Sequence, residues 1–501
     1  MGIIRKQSLQ STIFIYIGFA IGALNVLVLF PNQKYFTLEE FGLTKMLLDV
    51  SLLIATLCTL GASPAVVKFY PFYNSYLPEK KNDLPFWTFL LLVLGCLLFL
   101  AVMPFFKEMI LKKYGERSPL FVQYFNLIYP LTISMAFLYL FEAYAWASKR
   151  TVLPSIAREL IVRLLITFLI ILVMVGLLNF NQFINLYALV YIPPVLFVFY
   201  FLVKGGNLSF HITLSGVTRR LKDRILVFSL FIFSGQVLNI LARTLDSIII
   251  SSQSSGGLRD TGIFTIATYF IALMEVPVRG MTGITFSVFA EAWKEKNLSR
   301  VFTVYKKTAL NLLVAGLGIM GVLILNMPNA IAFLGPDYEA MTKIVLILGF
   351  SKLIDLGTGL NSHLLLTSKR WKVEFVTNIF LVIMAGVFNF LLVRKYGIVG
   401  SALATLIAFT IYNLVRFLLI WRLFKMQPFT FANLKAIIIA GLCFSVCWYL
   451  PTLPGIFLDT AVRSGLYIAL FSFLIIRFNI SEDVNSFYHN ISQALTRRIK
   501  N

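Results

Sequence analysis

The stretch "NILARTLDSIII" at residues 239–250 places an arginine and an aspartate inside an otherwise apolar run. Together with the apolar residues before it, the stretch is long enough to cross a membrane as a helix. Arg243 and Asp246 would then lie within the hydrocarbon region, where a charge costs at least a few kcal/mol. Charged residues at this depth generally face protein or a water-filled cavity. The stretch therefore predicts a membrane-spanning helix with a polar interior beside it.

The composition of the whole chain agrees with this interpretation. Of its 501 residues, 59% are hydrophobic and 13% are charged, and the mean hydropathy is +0.85. These values exclude an ordinary soluble globular protein. The N-terminal "MGIIRKQSLQ" carries two positive charges before an apolar run that has no cleavage site, so we expect this first run to be a signal anchor.

Apolar runs between polar breaks predict an all-α integral membrane protein with about fourteen transmembrane helices. We call them spans 1 to 14, and they centre on residues 11–30, 42–66, 84–106, 120–145, 158–178, 184–203, 225–250, 262–290, 304–327, 339–366, 374–393, 398–421, 434–451 and 461–478. An even number of spans places both termini on the same side of the membrane.

The distribution of Lys and Arg predicts which side that is. Nine of these residues fall on the side opposite the N-terminus, namely Lys34, Lys107, Lys112, Lys113, Arg117, Arg259, Arg394, Lys395 and Arg463. Seven lie within or at the edges of spans: Lys45, Arg163, Arg243, Arg279, Lys343, Lys352 and Arg416. The other 28 of the 44 fall on the side of the N-terminus. The positive-inside rule therefore predicts cytoplasmic N- and C-termini. The net charge of +22 is then mostly an orientation signal, so no nucleic-acid partner is needed to explain it.

A short pattern recurs at three span entrances. "EEFGLTKML", "RDTGIFTIA" and "RKYGIVGSA" each place a glycine, Gly42, Gly262 or Gly397, shortly after a charged residue. The first two would each open the second helix of a six-helix block, which indicates duplication; the alternative is chance, because glycine after a polar turn is common. Duplication predicts a six-helix lobe at 1–210, a second at 211–425 and two additional helices at 426–501, with the two lobes related by an axis along the membrane normal.

Four longer stretches resemble the multidrug/oligosaccharidyl-lipid/polysaccharide (MOP) exporter superfamily, in particular its polysaccharide or O-antigen flippase branch. They are "RTLDSIIISS", "DTGIFTIATYF", "VPVRGMTGITFSVFAEAWKE" and "YGIVGSALATLIAF". The resemblance implies two six-helix lobes around a central lumen gated by spans 1, 2, 7 and 8, alternating access and export of a lipid-linked sugar. In the resembling flippases the added helix pair contributes a groove, so spans 13 and 14 are expected to bind a polyprenyl tail; the alternative is that they only face lipid.

Four basic residues within the spans have an acid one helical turn away: Lys45 with Asp49, Arg243 with Asp246, Arg279 with Glu275, and Lys352 with Asp355. Such pairs share a helix face and could simply neutralise each other. A diphosphate, however, needs several strong donors in a low dielectric, a task that suits Arg better than Lys. We therefore expect Arg243 and Arg279, with Lys45 and Lys352, to bind substrate. Asp246 and Asp355, followed by Asp49 and Glu275, are the candidates for coupling to a proton or a sodium ion.

Several other polar residues are expected to have structural roles. Arg163, Lys343 and Arg416 have no such acidic neighbour and are expected to extend to the membrane interface. Glu142 is an isolated acid near the cytoplasmic edge. The four cysteines are expected to fill space, with no metal and no cofactor.

The leading functional prediction is a flippase for a polyprenyl diphosphate-linked oligosaccharide in the cytoplasmic membrane of a bacterium or archaeon. Its partners would be the lipid-linked glycan, membrane lipids and other membrane proteins of polysaccharide assembly. The alternative is a multidrug or organic-cation antiporter of the same superfamily, although basic residues outnumber acids inside the spans. An enzyme is not expected, because the loops opposite the termini are short.

Overall fold

The computed structural model describes residues 2–78, 81–206, 208 and 211–486, and all regular secondary structure in these ranges is helical. The helices are α1 (Gly2–Leu24), α2 (Leu38–Cys58), α3 (Ala62–Tyr76), α4 (Leu84–Tyr114), α5 (Pro119–Gln123), α6 (Ile128–Ala147), α7 (Val152–Ser155), α8 (Val162–Met174), α9 (Phe180–Tyr187), α10 (Ile192–Lys204), α11 (Gly216–Gln253), α12 (Gly257–Ala272), α13 (Val276–Lys294), α14 (Leu298–Leu325), α15 (Met327–Leu334), α16 (Met341–Gly357), α17 (Asn361–Thr367), α18 (Lys372–Phe424), α19 (Phe431–Trp448) and α20 (Ile456–Arg477).

These helices confirm the predicted multi-pass membrane fold. Eleven of the described helices are long and apolar enough to cross a membrane, or twelve when the bent pair α16–α17 counts as one span. α18 reverses direction at Gly397 (φ 58°, ψ −139°) and so supplies two of the predicted spans. The residues of α7 and α8 form one helix through a π-helical turn at Ile156–Ile161, in the region predicted as span 5.

The chain divides into two compact units, unit 1 (Met1–Thr265) and unit 2 (Ile266–Asn501). In unit 1, α2 packs against α6, α4 and α11. In unit 2, α14 packs against α13, α16 and α19. The predicted lobes at 1–210, 211–425 and 426–501 describe a duplication and stay a prediction.

The start of α2 shows why its entrance lies earlier than the glycine pattern predicts. Thr37 caps the helix: its hydroxyl accepts from the Glu40 amide, and the Glu40 carboxylate accepts from the Thr37 amide at 2.7 Å. This reciprocal capping box satisfies two backbone donors that a helix start otherwise leaves free. The helix therefore begins at Leu38, and Gly42 lies inside it.

Gly42 and Gly262 face each other where α2 crosses α12. A Cβ on Gly42 would lie 3.2 Å from the Gly262 amide nitrogen and 2.7 Å from the Leu258 carbonyl carbon, and closer still to that carbonyl's oxygen. A Cβ on Gly262 would lie 2.7 Å from the Leu38 carbonyl oxygen. Small residues allow membrane helices to approach this closely. Two glycines of the predicted repeat are thus explained by one helix crossing.

Helices α19 and α20 share an apolar core with α14. Buried members of this core include Leu313 and Leu317 of α14, Cys443 and Cys447 of α19, and Tyr467 of α20. All four cysteines are buried and reduced, and Cys443 and Cys447 pack in this core. The additional helix pair is therefore an integral part of unit 2.

Candidate functional site

A cluster of four charged side chains in unit 2 brings together two of the predicted pairs. Lys352 on α16 lies 3.1 Å from Asp355 one turn later and 3.2 Å from Glu275, which ends a 3-10 turn before α13. Glu275 in turn lies 3.4 Å from Arg279 on α13. Arg279 is the more accessible cation of the cluster, with 54% of its side chain exposed against 17% for Lys352. An anion could therefore approach Arg279 more readily than Lys352.

Hydrogen bonds extend this cluster into the interior of unit 2. The Asn413 amide donates to Asp355 at 3.4 Å, and its oxygen accepts from Asn361 at 3.1 Å. The Asn361 oxygen accepts from Arg416 at 3.0 Å. Arg416 also forms an ion pair with Glu374 of the same helical hairpin. The network links an accessible charged surface to a fully buried ion pair.

The expected extension of Arg416 to the membrane interface is wrong. Its side chain is 2% exposed, and it donates to Thr377 at 3.1 Å besides binding Glu374 and Asn361. Its guanidinium also lies 4.1 Å from the centre of the Tyr412 ring. The acid that neutralises it lies on the preceding helix, so spacing along one helix could not find it.

Arg163 needs a similar correction, whereas Lys343 is exposed as expected. Arg163 has an acid one turn before it, Glu159, at 2.6 Å, and it donates to the Gly18 carbonyl of α1 at 2.7 Å. This side chain ties α8 to α1 rather than extending to the interface.

In unit 1, the predicted pair on α2 is formed. The Lys45 ammonium lies 2.6 Å from Asp49, with 27% of the lysine side chain and 4% of the aspartate side chain exposed. Lys45 thus forms an ion pair with a buried carboxylate.

The pair in the opening stretch is different. Arg243 on α11 is exposed and forms no ion pair within the described part of the chain, and Asp246 is half-buried. A spacing of one turn permits such a pair but does not require it. Arg243 is left as an accessible cation within a membrane-spanning helix.

Unit 1 also contains an open cavity of about 230 Å³ that the sequence did not predict, with polar side chains in a partly apolar wall. It is lined by the end of α2, the start of α3, α6, the π-helical turn at Ile156–Ile161 and the middle of α11. Its lining residues are Thr56, Thr59, Ser63, Tyr139, Glu142, Trp146, Arg158, Gln236, Asn239 and Ile240. Asn239 and Ile240 are the first and second residues of the opening stretch. That stretch therefore does border a polar interior, although Arg243 itself is not part of the lining.

An ion pair between Glu142 and Arg158 forms one wall of this cavity. The arginine Nε lies 3.1 Å from Glu142 Oε1, and Nη2 lies 2.5 Å from Oε2. The Glu142 side chain is 1% exposed, whereas that of Arg158 is 41% exposed. The guanidinium also lies 5.0 Å from the centre of the Tyr139 ring. Glu142 is thus not an isolated acid, and its partner comes from the start of the next span.

Among the described residues, no group of three or more His, Cys, Asp or Glu is placed to hold a metal ion. The charged side chains can instead bind anions, exchange protons or stabilise helix packing.

Comparison with known proteins identifies the fold. No protein-family model and no curated protein sequence matches the chain. Its structure is similar to the inward closed conformation of the lipid II flippase MurJ, with a TM-score of 0.74 and 17% identity over 94% of this chain and 100% of that chain. An inward-facing multidrug resistance MATE transporter of the MOP superfamily has a TM-score of 0.60 and 16% identity, over 80% of this chain and 98% of that chain. A MOP superfamily transporter from Pyrococcus furiosus has a TM-score of 0.50 and 15% identity, over 85% of this chain and 93% of that chain. The all-helical transporter fold expected from the sequence, which these three proteins share, is therefore confirmed.

Proposed function

We propose that this protein is a flippase that moves a polyprenyl diphosphate-linked oligosaccharide across the cytoplasmic membrane by alternating access, for cell-surface polysaccharide or O-antigen synthesis. The observation that carries the proposal is the extent of structural similarity. The lipid II flippase matches 94% of this chain, whereas the first multidrug transporter matches 80%. About a fifth of the chain thus has no counterpart in that multidrug transporter, while nearly all of it has one in a protein that carries a lipid-linked glycan.

The accessible cations support an anionic substrate. Arg243 is exposed and has no ion-pair partner in the described ranges, and Arg279 is more than half exposed with a single long contact to Glu275. A guanidinium presents a planar fork that matches two phosphate oxygens. Lys45 and Lys352 are held more tightly by acids and would contribute mainly to the local potential. Arg243 and Arg279 would each contribute a guanidinium to diphosphate binding.

Coupling to an ion would use the acids of the same clusters. Asp355 and Glu275 share Lys352, so a proton or sodium ion on either carboxylate would weaken its hold on that lysine. Asp49 has the same relation to Lys45, and Asp246 lies one turn from Arg243. We propose these four acids as coupling sites for a proton or a sodium ion.

Helices α19 and α20 would bind the polyprenyl tail. Large apolar side chains on both helices are exposed, among them Leu442 and Val446 of α19 and Phe457 of α20. Deleting the pair would also strip the core that it shares with α14, so substitution is the better test. Exchanging Leu442 and Val446 together for asparagine should reduce export if a tail binds there. Unchanged export would favour helices that only face bulk lipid.

The central experiment is complementation. We expect the protein to restore surface polysaccharide in a bacterial strain that lacks its own O-antigen flippase, and Arg243→Glu to abolish this activity at normal membrane abundance. Arg220→Glu, on the exposed start of the same helix, is the matched control and should remain active. Exchanging Arg243→Asp with Asp246→Arg should not restore export, because a phosphate site needs its cation in one place.

The same strains separate flippase from drug antiporter. A chain that confers resistance to organic cations but restores no surface polysaccharide would replace the proposal with the antiporter alternative. Full activity of Arg243→Glu would leave the flippase intact but remove Arg243 from its substrate site.

A further inference from the structure

We propose that the cavity of unit 1 is a binding site for a phosphate group. On binding, the phosphate replaces Glu142 as the ion-pair partner of the Arg158 guanidinium, and Glu142 then accepts one proton. The inference rests on the proposed function only for the identity of the natural ligand, the diphosphate of the lipid-linked substrate. The exchange itself follows from the geometry of the cavity. The step is a proton transfer: the bond to hydrogen of a buffer acid breaks, an O–H bond forms on a Glu142 carboxylate oxygen, and the conjugate base of the buffer stays in solution.

Arg158 is placed to change partners. One edge of its guanidinium is occupied by Glu142 through Nε and Nη2, whereas Nη1 donates no hydrogen bond within the described ranges. With 41% of its side chain exposed, the arginine presents this free nitrogen at the cavity wall. A phosphate group can bind first to Nη1 and then replace the carboxylate, because both ligands match the same guanidinium fork.

Neutral donors complete the site. The Ser63 hydroxyl is buried in the cavity lining and has no hydrogen-bond partner in the described part of the protein. The side-chain amides of Gln236 and Asn239 also line the cavity, and no hydrogen bond of either occurs among the described residues. Buried polar groups normally find a partner, so the unpartnered Ser63 hydroxyl indicates a polar ligand. Gln236 and Asn239 are exposed and are available to bind it. A volume of about 230 Å³ corresponds to several water molecules at ~30 Å³ each, enough for a phosphate group with bridging water.

Glu142 is placed to accept the proton. It is 1% exposed, and the cation that neutralises it is Arg158. The other charged or titratable groups around it are Glu159 beside Arg158, Tyr139 on the same helix and Tyr191 before α10, with Arg243 of α11 near Tyr139. Of these, Glu159 repels a carboxylate and is itself bound to Arg163. A buried carboxylate that loses the cation paired with it is costly, and protonation removes that cost.

The consequence is charge compensation. Before binding, the guanidinium is paired with a carboxylate; after binding, it is paired with phosphate and the carboxyl group is neutral. The proton taken up by Glu142 thus offsets one negative charge of the anion that enters unit 1.

The test uses the full-length protein in lipid nanodiscs with inorganic pyrophosphate as the probe. Calorimetric titrations at one pH in two buffers of different ionisation enthalpy give the number of protons taken up on binding. We expect uptake by the native protein to exceed that of Glu142→Gln by about one proton per pyrophosphate. Glu142→Gln should bind several-fold more tightly, because its arginine is already free.

Variants at Arg158 test the site itself. Arg158→Gln should lower pyrophosphate affinity at least tenfold, whereas Arg220→Gln, outside the cavity, should not change it. Should Arg158→Gln fail to fold because Glu142 loses its partner, the double variant Glu142→Gln with Arg158→Gln removes both charges and should bind equally poorly. Equal proton uptake in the native protein and Glu142→Gln would overturn the exchange. Affinity unaffected by loss of Arg158 would overturn the site.

Two further results distinguish the possible sources of the phosphate group and separate this inference from the proposed function. A short-chain polyprenyl diphosphate should displace pyrophosphate if the natural ligand is the lipid substrate; failure to displace it would limit the site to free phosphate compounds. Binding with proton uptake in a protein that restores no surface polysaccharide would refute the proposed function and leave this inference standing.

Discussion

Replacing Gly42 by alanine should force α2 away from α12. A Cβ at this position would lie 2.7 Å from the Leu258 carbonyl carbon, and ordinary contacts of a Cβ begin at 3.4 Å. The two backbones must therefore separate by at least about 0.7 Å, and by more to clear the carbonyl oxygen. Neither obstacle is a flexible side chain that could rotate away. Overpacking of this kind costs roughly 1–3 kcal/mol.

That cost sets the size of the expected effect. If the crossing of α2 and α12 opens and closes, a penalty of about 1–3 kcal/mol on the closed form raises the open population by roughly 5- to 150-fold. Thr261 reports on opening, because it lies beside Gly262 and is 1% exposed. With the four native cysteines replaced, a Thr261→Cys reporter should react with a membrane-impermeant maleimide faster by a factor in that range when Gly42 is alanine.

Gly235 provides the matched control. It lies inside α11, also in unit 1, and a Cβ there would meet no atom within 4 Å. Gly235→Ala should leave the reporter's labelling rate unchanged. The reasoning is refuted if Gly42→Ala reaches the membrane at normal levels and labels no faster than Gly235→Ala. It would then follow that the crossing relaxes without opening.

Two further predictions concern topology and stability. Reporters fused after Arg224, after Arg300 and at the C-terminus should read cytoplasmic and one near Lys113 external, because Lys and Arg are concentrated on the side of the N-terminus; an external C-terminus would make the span count odd. Arg463 on α20 donates to Asp459 at 2.7 Å and to three carbonyls, one in the last turn of α19 and two in the loop after it, at 3.0, 3.0 and 3.3 Å. Arg463→Met should therefore lower the free energy of unfolding by about 3–5 kcal/mol and lower the thermal unfolding temperature in detergent. Arg477→Met, at an exposed position, should change neither. Equal unfolding temperatures for the two variants would show that Arg463 adds little stability.

The sequence by itself determined the features that depend on local spacing. Apolar runs of about 20 residues can cross a bilayer only as helices, because every backbone polar group must be satisfied within the segment. The predicted spans follow from this rule, whereas the MOP transporter fold was expected from the resemblance of four longer stretches to that superfamily. The ion pairs Lys45–Asp49 and Lys352–Asp355 were also predictable, since residues three or four apart share a helix face.

Local spacing did not predict the contacts of a side chain that had more than one possible partner. Arg243 and Asp246 are spaced like the other pairs, yet Arg243 is exposed and unpaired in the described ranges. Arg416 was expected at the membrane interface because no acid lies one turn away, and it is buried against Glu374. Spacing gives the opportunity for a contact, but the depth of a side chain depends on the helices around it.

The tertiary structure alone decided the contacts between helices. Glu142 and Arg158 belong to different spans, and the cavity beside them exists only because α2, α6 and α11 pack around it. Gly42 and Gly262 are 220 positions apart in the sequence, and the sequence pattern marked them as a repeat without indicating that they touch. Their contact requires two backbones to approach closely, which depends on where α2 and α12 cross. That crossing is set by the packing of whole helices, which no short stretch of sequence encodes.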